Sequence, residues 1–364
     1  MATSGIQIFL QMLAEAGVKY IFGNPGTTEL PLNDALVQES RIRYILGLQE
    51  VPVMAMADGY AMASGGLGVV NLHISCGLGN AMGMLYNAFR EGTPLLVTAG
   101  QQDRRLKFQE PILWGDMVSV ARPWTKWSVE VERLEDLPSA VRRAVQLALT
   151  PPTGPVFLAI PLDLQMAQTD LGGLDLVMPE RVPHRVRPPL DALRRAVDVL
   201  AAARNPAILV GSRVTESNAV GELVALAERL GAPVFSEPGH THGRLSFPAD
   251  HPLYAQTIPH WAPERAKRLT EFDVLLVAGM DLLREYVYHG TEPAIPRHLR
   301  LIHLDENAYE IGKNYPVEVG LLGDSKVTLA ELDAALAAAM TPEARQQAAA
   351  RGESRAGLHR KIQA

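Results

Sequence analysis

Residues 44–90 open with Tyr44-Ile45-Leu46-Gly47-Leu48-Gln49-Glu50-Val51-Pro52 and continue through an Ala/Met-rich stretch to Ala63. Leu67-Gly68-Val69-Val70-Asn71-Leu72-His73-Ile74 follows, then Gly77-Leu78-Gly79-Asn80 opening a segment that runs to Arg90. Residues 44–48 form an apolar run of strand length. Pro52 falls in what would be a first helical turn, where its missing N–H is harmless. Residues 53–63 then read as a mostly apolar helix interrupted by Asp58. Glu50 therefore stands where a strand gives way to a helix. A carboxylate there is either a first-turn charge stabilised by the helix dipole or a buried acid with a chemical role. The preceding strand is almost free of polar residues, which places Glu50 beside buried surface. Residues 67–74 read as a second strand with His73 near its end. Ligands collect at the carboxyl ends of strands in open α/β sheets, so two titratable groups at two such ends define a candidate site. The alternative for His73 is a core histidine satisfied by a backbone carbonyl.

Other motifs are excluded by spacing. Gly77-Leu78-Gly79-Asn80-Ala81-Met82-Gly83 is one residue off the dinucleotide fingerprint, and no acidic residue stands at the right distance. There is no G-x-x-x-x-G-K-[ST], no H-E-x-x-H and no paired C-x-x-C. His240-Thr241-His242 is a weak metal pattern and reads as a polar loop, so no metal site is expected.

At 364 residues the chain is long enough for two domains with substantial cores. Its 47% hydrophobic and 20% charged residues are ordinary for a globular protein. A net charge of −6 without a basic block argues against nucleic acid as a partner. The single cysteine, Cys76, excludes an internal disulfide and fits a reducing compartment. No signal peptide and no apolar stretch of membrane-spanning length are read, so a cytoplasmic protein off the membrane is expected.

Working outward, residues 6–16 carry Ile6, Phe9, Leu10 and Leu13 at helical spacing, and residues 19–22 read as a short strand. Gly23-Asn24-Pro25-Gly26 is a turn by composition, after which Thr27 or Thr28 is expected to cap a helix with Glu29 in its first turn. Strands are expected at 95–99, 125–131 and 156–160, with a helix at 135–149. The long polar loop 103–115 carries adjacent Arg104 and Arg105, either for an anionic substrate or as ion-paired surface. Periodicity fades over 161–189, which holds Pro179, Pro183 and Pro188-Pro189. It then resumes with helices at 190–203, 219–230 and 329–340 and strands at 207–210, 233–235, 272–278 and 299–304. This alternation predicts an α/β protein: two tandem three-layer α/β/α domains with mostly parallel sheets.

Gly23-Asn24-Pro25-Gly26-Thr27-Thr28-Glu29-Leu30-Pro31, Leu48-Gln49-Glu50, Ala57-Asp58-Gly59-Tyr60-Ala61, Asn71-Leu72-His73 and Gly77-Leu78-Gly79-Asn80-Ala81-Met82-Gly83 strongly resemble the thiamine-diphosphate enzymes. The resemblance is to the family of acetolactate synthase, pyruvate decarboxylase and benzoylformate decarboxylase, most of all the last. It spans essentially the whole chain and is specific in the first hundred or so residues. It implies a pyrimidine-binding domain at 1–165, a linker at 166–189, a middle domain at 190–340, and a polar helical tail at 341–364. That tail would connect to a diphosphate-binding domain that the sequence does not show, since no Gly-Asp-Gly occurs.

The resemblance implies non-oxidative decarboxylation of a small 2-oxo acid. Thiamine diphosphate is the implied cofactor, with Mg2+ held by the missing domain. Glu50 is the implied activator of the cofactor through its aminopyrimidine ring, and His73 the acid/base, a role suited to a group titrating near neutrality. Pro25, Gly26 and Asn80 are implied with Glu50 in cofactor binding. Thr27 stands where benzoylformate decarboxylase has a serine that touches the substrate carboxylate. Departures are visible too. The middle-domain active-site histidine has no match in Gly279-Met280-Asp281-Leu282-Leu283-Arg284-Glu285-Tyr286-Val287-Tyr288-His289. Tyr286 falls near its place and is the implied substrate contact. The paired histidines of pyruvate decarboxylase are absent after Gln102. FAD, which acetolactate synthases can hold in the middle domain, has no clear motif here. A homo-oligomer (homodimer or homotetramer) is implied, with the diphosphate-binding domain acting in trans or lost by truncation. Two alternatives stay open: an acetolactate-synthase-like carboligase, and a catalytically silent fragment or regulatory subunit.

Overall fold

The structure is a computed structural model that describes residues 2–170, 173–180, 182–238, 244–285, 287–290 and 293–363, with side chains to residue 356. It divides into two compact units, Met1–Pro183 and His184–Ala364.

In the first unit the apolar runs become β1 (Thr3–Ser4), β2 (Tyr20–Asn24), β3 (Arg43–Leu46), β4 (Gly68–Leu72), β5 (Leu95–Gln101), β6 (Ser128–Glu130), β7 (Val156–Pro161) and β8 (Gln168–Thr169). Among them lie α1 (Gly5–Glu15), α2 (Leu30–Leu36), α3 (Glu50–Ser64), α4 (Ile74–Glu91), α5 (Met117–Ala121), α6 (Leu137–Leu149) and α7 (Leu162–Met166). Six strands make one sheet in the order β3-β2-β4-β5-β7-β6, every pair parallel. Strands in such a sheet are covered on both faces. Leu96 and Leu158 accordingly pack with Phe9, Leu13 and Val141 on one face, while Val97 and Phe157 pack with Met54, Leu78 and Leu85 on the other. The chain leaves β2 outward to β3, then crosses back to β4. The gap between the carboxyl ends of β2 and β4 is therefore the topological switch point, where open sheets leave a crevice.

Several bounds differ from the sequence reading. The second apolar strand stops at Leu72, and His73 is the N-cap of α4, so Gly77–Asn80 lies inside that helix rather than opening it. Neither threonine caps. Gly26 is the N-cap of a 3-10 turn, Thr27–Glu29, without a side-chain cap bond, and Glu29 precedes α2 in the same way. The expected linker is partly folded, because β8 pairs antiparallel with β1 through Thr3↔Thr169 and Ser4↔Gln168.

The second unit repeats the plan with β9 (Pro206–Val210), β10 (Val234–Ser236), β11 (Tyr254–Thr257), β12 (Val274–Ala278), β13 (Arg300–Asp305) and β14 (Val319–Leu322). Its parallel sheet has the order β11-β10-β9-β12-β13-β14. The helices are α8 (Leu190–Ala201), α9 (Ser212–Glu216), α10 (Val220–Leu230), α11 (Ala262–Leu269), α12 (Ser325–Ala339) and α13 (Pro342–Gln363). Ile208, Leu276 and Ile302 face one apolar layer, Leu209, Val277 and Leu301 the other. Sequence reading misses β11, α11 and β14. The two strands are short edge strands with little apolar alternation, and α11 buries only Ala262, Arg265 and Leu269.

The polar tail helix α13 docks on this unit. Arg351 donates to Leu230 O (2.7 Å) and Arg204 O (3.0 Å), and Ala348 is buried. Gly231 ends α10 in the left-handed region (φ +58°), and a Cβ there would lie 2.0 Å from Ala348 O. Gly17 is also left-handed (φ +82°) but has open space around it. Gly17→Ala is therefore expected to cost the conformational strain alone, about 1–2 kcal/mol. Gly231→Ala is expected to cost clearly more, because α13 must shift. Urea unfolding of the two variants checks this, and equal losses would mean that α13 adds nothing to the fold.

Candidate active site

Glu50 is the first residue of α3. Gln49 ahead of it is extended (φ −164°) and accepts the Val51 N–H at 2.8 Å, which starts the helix and leaves the Glu50 carboxylate at its positive end. The residue is only 6% exposed. Asn24, at the end of β2, donates from Nδ2 to Oε1 at 2.9 Å, and Asn80 of α4 donates from Nδ2 to Oε2 at 3.0 Å. Among the described residues no ion pair reaches Glu50. A carboxylate offers about four lone-pair positions. Two neutral amides hold it in place and leave it open to a further partner.

His73 stands across Gly77 from Glu50. A Cβ on Gly77 would lie 3.4 Å from His73 Cβ and 3.5 Å from Glu50 Oε1, so the absence of a side chain keeps the space between them clear. His73 Nδ1 lies 2.8 Å from Glu29 Oε2 and 3.5 Å from Thr28 Oγ1. Glu29 is 1% exposed and accepts from Gly26 N–H (3.0 Å), Thr28 Oγ1–H (2.7 Å) and Gly100 N–H (2.8 Å), with Ile74 N–H at 3.4 Å. Gly26 is required by the same packing: a Cβ there would sit 2.1 Å from His73 Nδ1. Ile74, next to His73, has φ +37°, a strained value for a β-branched residue. Beneath the turn, Tyr44 donates its hydroxyl to Asn71 Oδ1 (3.3 Å), and burial with the nearby Glu29 charge pushes its pKa above the usual phenol range.

Glu50, His73, Pro25, Gly26, Thr27 and Asn80 thus collect around the carboxyl ends of β2, β3 and β4. Thr27 is exposed, as is Asn80 apart from its amide on Glu50. Arg104 and Arg105 are ion-paired surface: Arg104 meets Asp163 at 2.6 Å, and Arg105 meets Asp103. Tyr286 and His240-Thr241-His242 lie outside the described residues. His289 packs edge-on against Trp261 in the second unit, 6.3 Å between ring centres. Among the described residues no group of acidic, His or Cys side chains is arranged to hold a metal ion. No helix among them is long and apolar enough to cross a membrane.

Two residues escape the sequence reading. Glu29 reads as a first-turn charge and is instead the hub beneath His73. Asn24 reads as a turn residue and is instead a partner of Glu50. Both belong to the Gly23–Pro31 motif, but burial and partner are not visible in a string of letters.

The second unit has its own switch point between β9 and β12, where a flavin's phosphates would need free backbone donors or cations. The Ser212 N–H that would donate to a phosphate already donates to Glu237 Oε1 at 3.0 Å. Arg213 is bound to Asp305 (2.8 Å) and Asp281 (2.7 Å). These residues do not fit a flavin's phosphates.

Comparison with known proteins agrees with the geometry. Residues 3–113 match the thiamine pyrophosphate enzyme N-terminal TPP binding domain, and residues 193–332 match the central domain of the same enzymes. Benzoylformate decarboxylase of Pseudomonas aeruginosa is 35% identical over 88% of this chain and 60% of its own length. The acetolactate synthase large subunit of Haemophilus influenzae is 29% identical over 90% of this chain and 57% of its own. Among solved structures, benzoylformate decarboxylase from Polynucleobacter necessarius superposes with a TM-score of 0.84 at 33% identity, covering 92% of this chain and 61% of that one. The chain thus spans about three-fifths of the length of these relatives. With both domain matches placed on its two parallel-sheet units, the chain belongs to the thiamine pyrophosphate enzyme family by its N-terminal and central domains.

Proposed function

We propose that this chain supplies the pyrimidine side of a thiamine-diphosphate site in an enzyme that decarboxylates a 2-oxo acid without oxidation. The observation that carries this reading is Glu50, a buried carboxylate held by two amides and, among the described residues, by no cation. Burying such a group costs stability unless something further satisfies it. The donor set fits the cofactor's ring, since an acceptor-rich carboxylate receives an N–H and, when protonated, donates to a ring nitrogen. Bound there, thiamine diphosphate would supply a carbon nucleophile for a 2-oxo acid carbonyl and a sink for the electron pair left when carbon dioxide departs.

Glu50 holds or releases one proton at its carboxylate, and Asn24 and Asn80 keep that carboxylate in a single orientation. Pro25 and Gly26 form the wall of the cofactor site. His73 exchanges a proton with the substrate, and the exposed Thr27 hydroxyl donates to the substrate carboxylate. Tyr286 is assigned to the substrate by resemblance alone. The diphosphate and Mg2+ are assigned to a domain beyond these residues, on this chain or another, within a homo-oligomer. The likeness to acetolactate synthase supports a second reading, carboligation, in which a second carbonyl compound replaces the proton. His73 favours the first through its resemblance to the acid/base histidine of benzoylformate decarboxylase, while the unmatched middle-domain histidine weighs against it.

In an enzyme completed by a diphosphate-binding domain, Glu50→Gln is expected to remove measurable turnover while the circular dichroism and melting curve stay those of the wild type. Retained activity would end the assignment. His73→Ala is expected to slow aldehyde release by about 10²–10⁴-fold, the usual contribution of a placed acid/base. If release is unaffected and acyloin products dominate with added aldehyde, carboligation is the better reading. Calorimetric titration with thiamine diphosphate and Mg2+ is expected to show binding that strengthens when the diphosphate-binding domain is added. Equal affinity with and without it would place the anion site within this chain.

A further inference from the structure

The reading of His73 as the acid/base leaves open which ring nitrogen acts, and the surroundings of Glu29 decide it. Resting on that reading, we propose that Glu29 is a positioning residue that holds His73 as the Nδ1–H tautomer, so that Nε2 exchanges the proton with the substrate.

The assignment follows from the donors. Glu29 Oε1 receives the Thr28 hydroxyl and the Gly100 N–H, with the Ile74 N–H near it. Oε2 receives the Gly26 N–H and faces His73 Nδ1 at 2.8 Å. Every other partner of this carboxylate donates to it, so it acts as an acceptor at both oxygens. The second neighbour of Nδ1 is Thr28 Oγ1 at 3.5 Å. That hydroxyl has a single proton, already given to Glu29 Oε1, and turns only lone pairs toward the ring. Nδ1 thus faces acceptors on both sides and must carry a proton. Nε2 is left with the lone pair in the neutral ring, on a side chain that keeps 19% of its surface exposed.

The ring has little freedom to escape this arrangement. Gly26 lies flat against it, where a Cβ would be 2.1 Å from Nδ1. Gln165 pins the turn from below, donating to Thr28 O (2.9 Å) and Ile160 O (2.8 Å). When Nε2 takes up a proton, the imidazolium keeps its Nδ1–H on a carboxylate, the arrangement that orients and stabilises a histidine base in hydrolytic triads. Glu29 itself touches no reacting atom.

The test is a long-range ¹⁵N–¹H correlation spectrum of the imidazole rings in the labelled chain, with His73 assigned by its loss in His73→Asn. The wild type is expected to show a protonated Nδ1 and an unprotonated Nε2 in the neutral ring. In Glu29→Gln the amide nitrogen is expected at the Oε2 position, where it displaces the fewest donors. It then donates to Nδ1, and the tautomer inverts to Nε2–H. Thr28→Val, which removes the hydroxyl but keeps the carboxylate, is expected to leave Nδ1–H in place. A wild-type ring protonated at Nε2 overturns the proposal without any variant having to fold. An unchanged tautomer in folded Glu29→Gln, or inversion in Thr28→Val, overturns the assignment to Glu29. In a completed enzyme Glu29→Gln is expected to lower kcat by roughly 10²–10⁴-fold with a smaller change in KM. An unchanged kcat would remove Glu29 from the chemistry. The spectra require neither cofactor nor turnover, so failure of the decarboxylase reading through Glu50→Gln is seen separately.

Discussion

A carboxylate almost closed to water has to find its hydrogen bonds inside the protein, and Glu29 finds them on three elements at once. The turn after β2 gives Gly26 and Thr28, the junction of β4 with α4 gives His73 and Ile74, and β5 gives Gly100. One side chain thereby ties together the strand ends that flank the switch point of the first sheet. The geometry requires glycine where the chain passes closest. A Cβ on Gly100 would lie 2.6 Å from both Glu29 Oε1 and Thr28 O. Removing the carboxylate would leave several buried donors without an acceptor, each costing about 1–3 kcal/mol. The strained Ile74 backbone is held within this same network.

Glu50 belongs to the same sheet edge and shows what a different set of neighbours makes of the same functional group. Glu29 is saturated with donors and is therefore fixed, suited to orienting another group. Glu50 has one amide on each oxygen and keeps acceptor capacity in reserve. The two roles are separated by the number of donors aimed at each oxygen. Gly77, with no side chain, stands between Glu50 and His73, where a Cβ would touch both.

The second unit also has a six-stranded parallel sheet, with a different strand order, and its switch point is filled by its own charges. Arg213 lies between Asp305 and Asp281, and Glu237 accepts the Ser212 N–H while burial pushes its pKa up to about 7. Buried charges of this kind persist when they are paired and hydrogen-bonded. At one sheet's strand ends a buried carboxylate meets only neutral amides among the described residues, and at the other's the charges pair with one another, so chemistry resides in the side chains at a sheet edge rather than in the fold.

Much of this protein is legible in its sequence. Apolar runs of strand length alternating with helical periodicity specify parallel α/β sheets, because a strand buried on both faces has to be apolar on both faces. The Gly23–Pro31, Glu50, His73 and Gly77–Gly83 motifs identify the family and single out Glu50 and His73. Short edge strands such as β11 and β14 are not readable: β11 lacks alternation, and β14 is only four residues long with Gly320 and Leu322 at its exposed positions. The caps expected at Thr27 and Thr28 were misplaced because Gly26 begins the turn, and Thr28 directs its hydroxyl to Glu29 instead. Sequence by itself determined which residues are present at the strand ends and which fold brings those ends together. Only tertiary structure decided that Glu29 would lie under His73 and Asn24 beside Glu50. Those pairings span 44 and 26 residues along the chain, and hydrogen bonds between such distant groups are set by how the strands are ordered in the sheet, which no local pattern encodes.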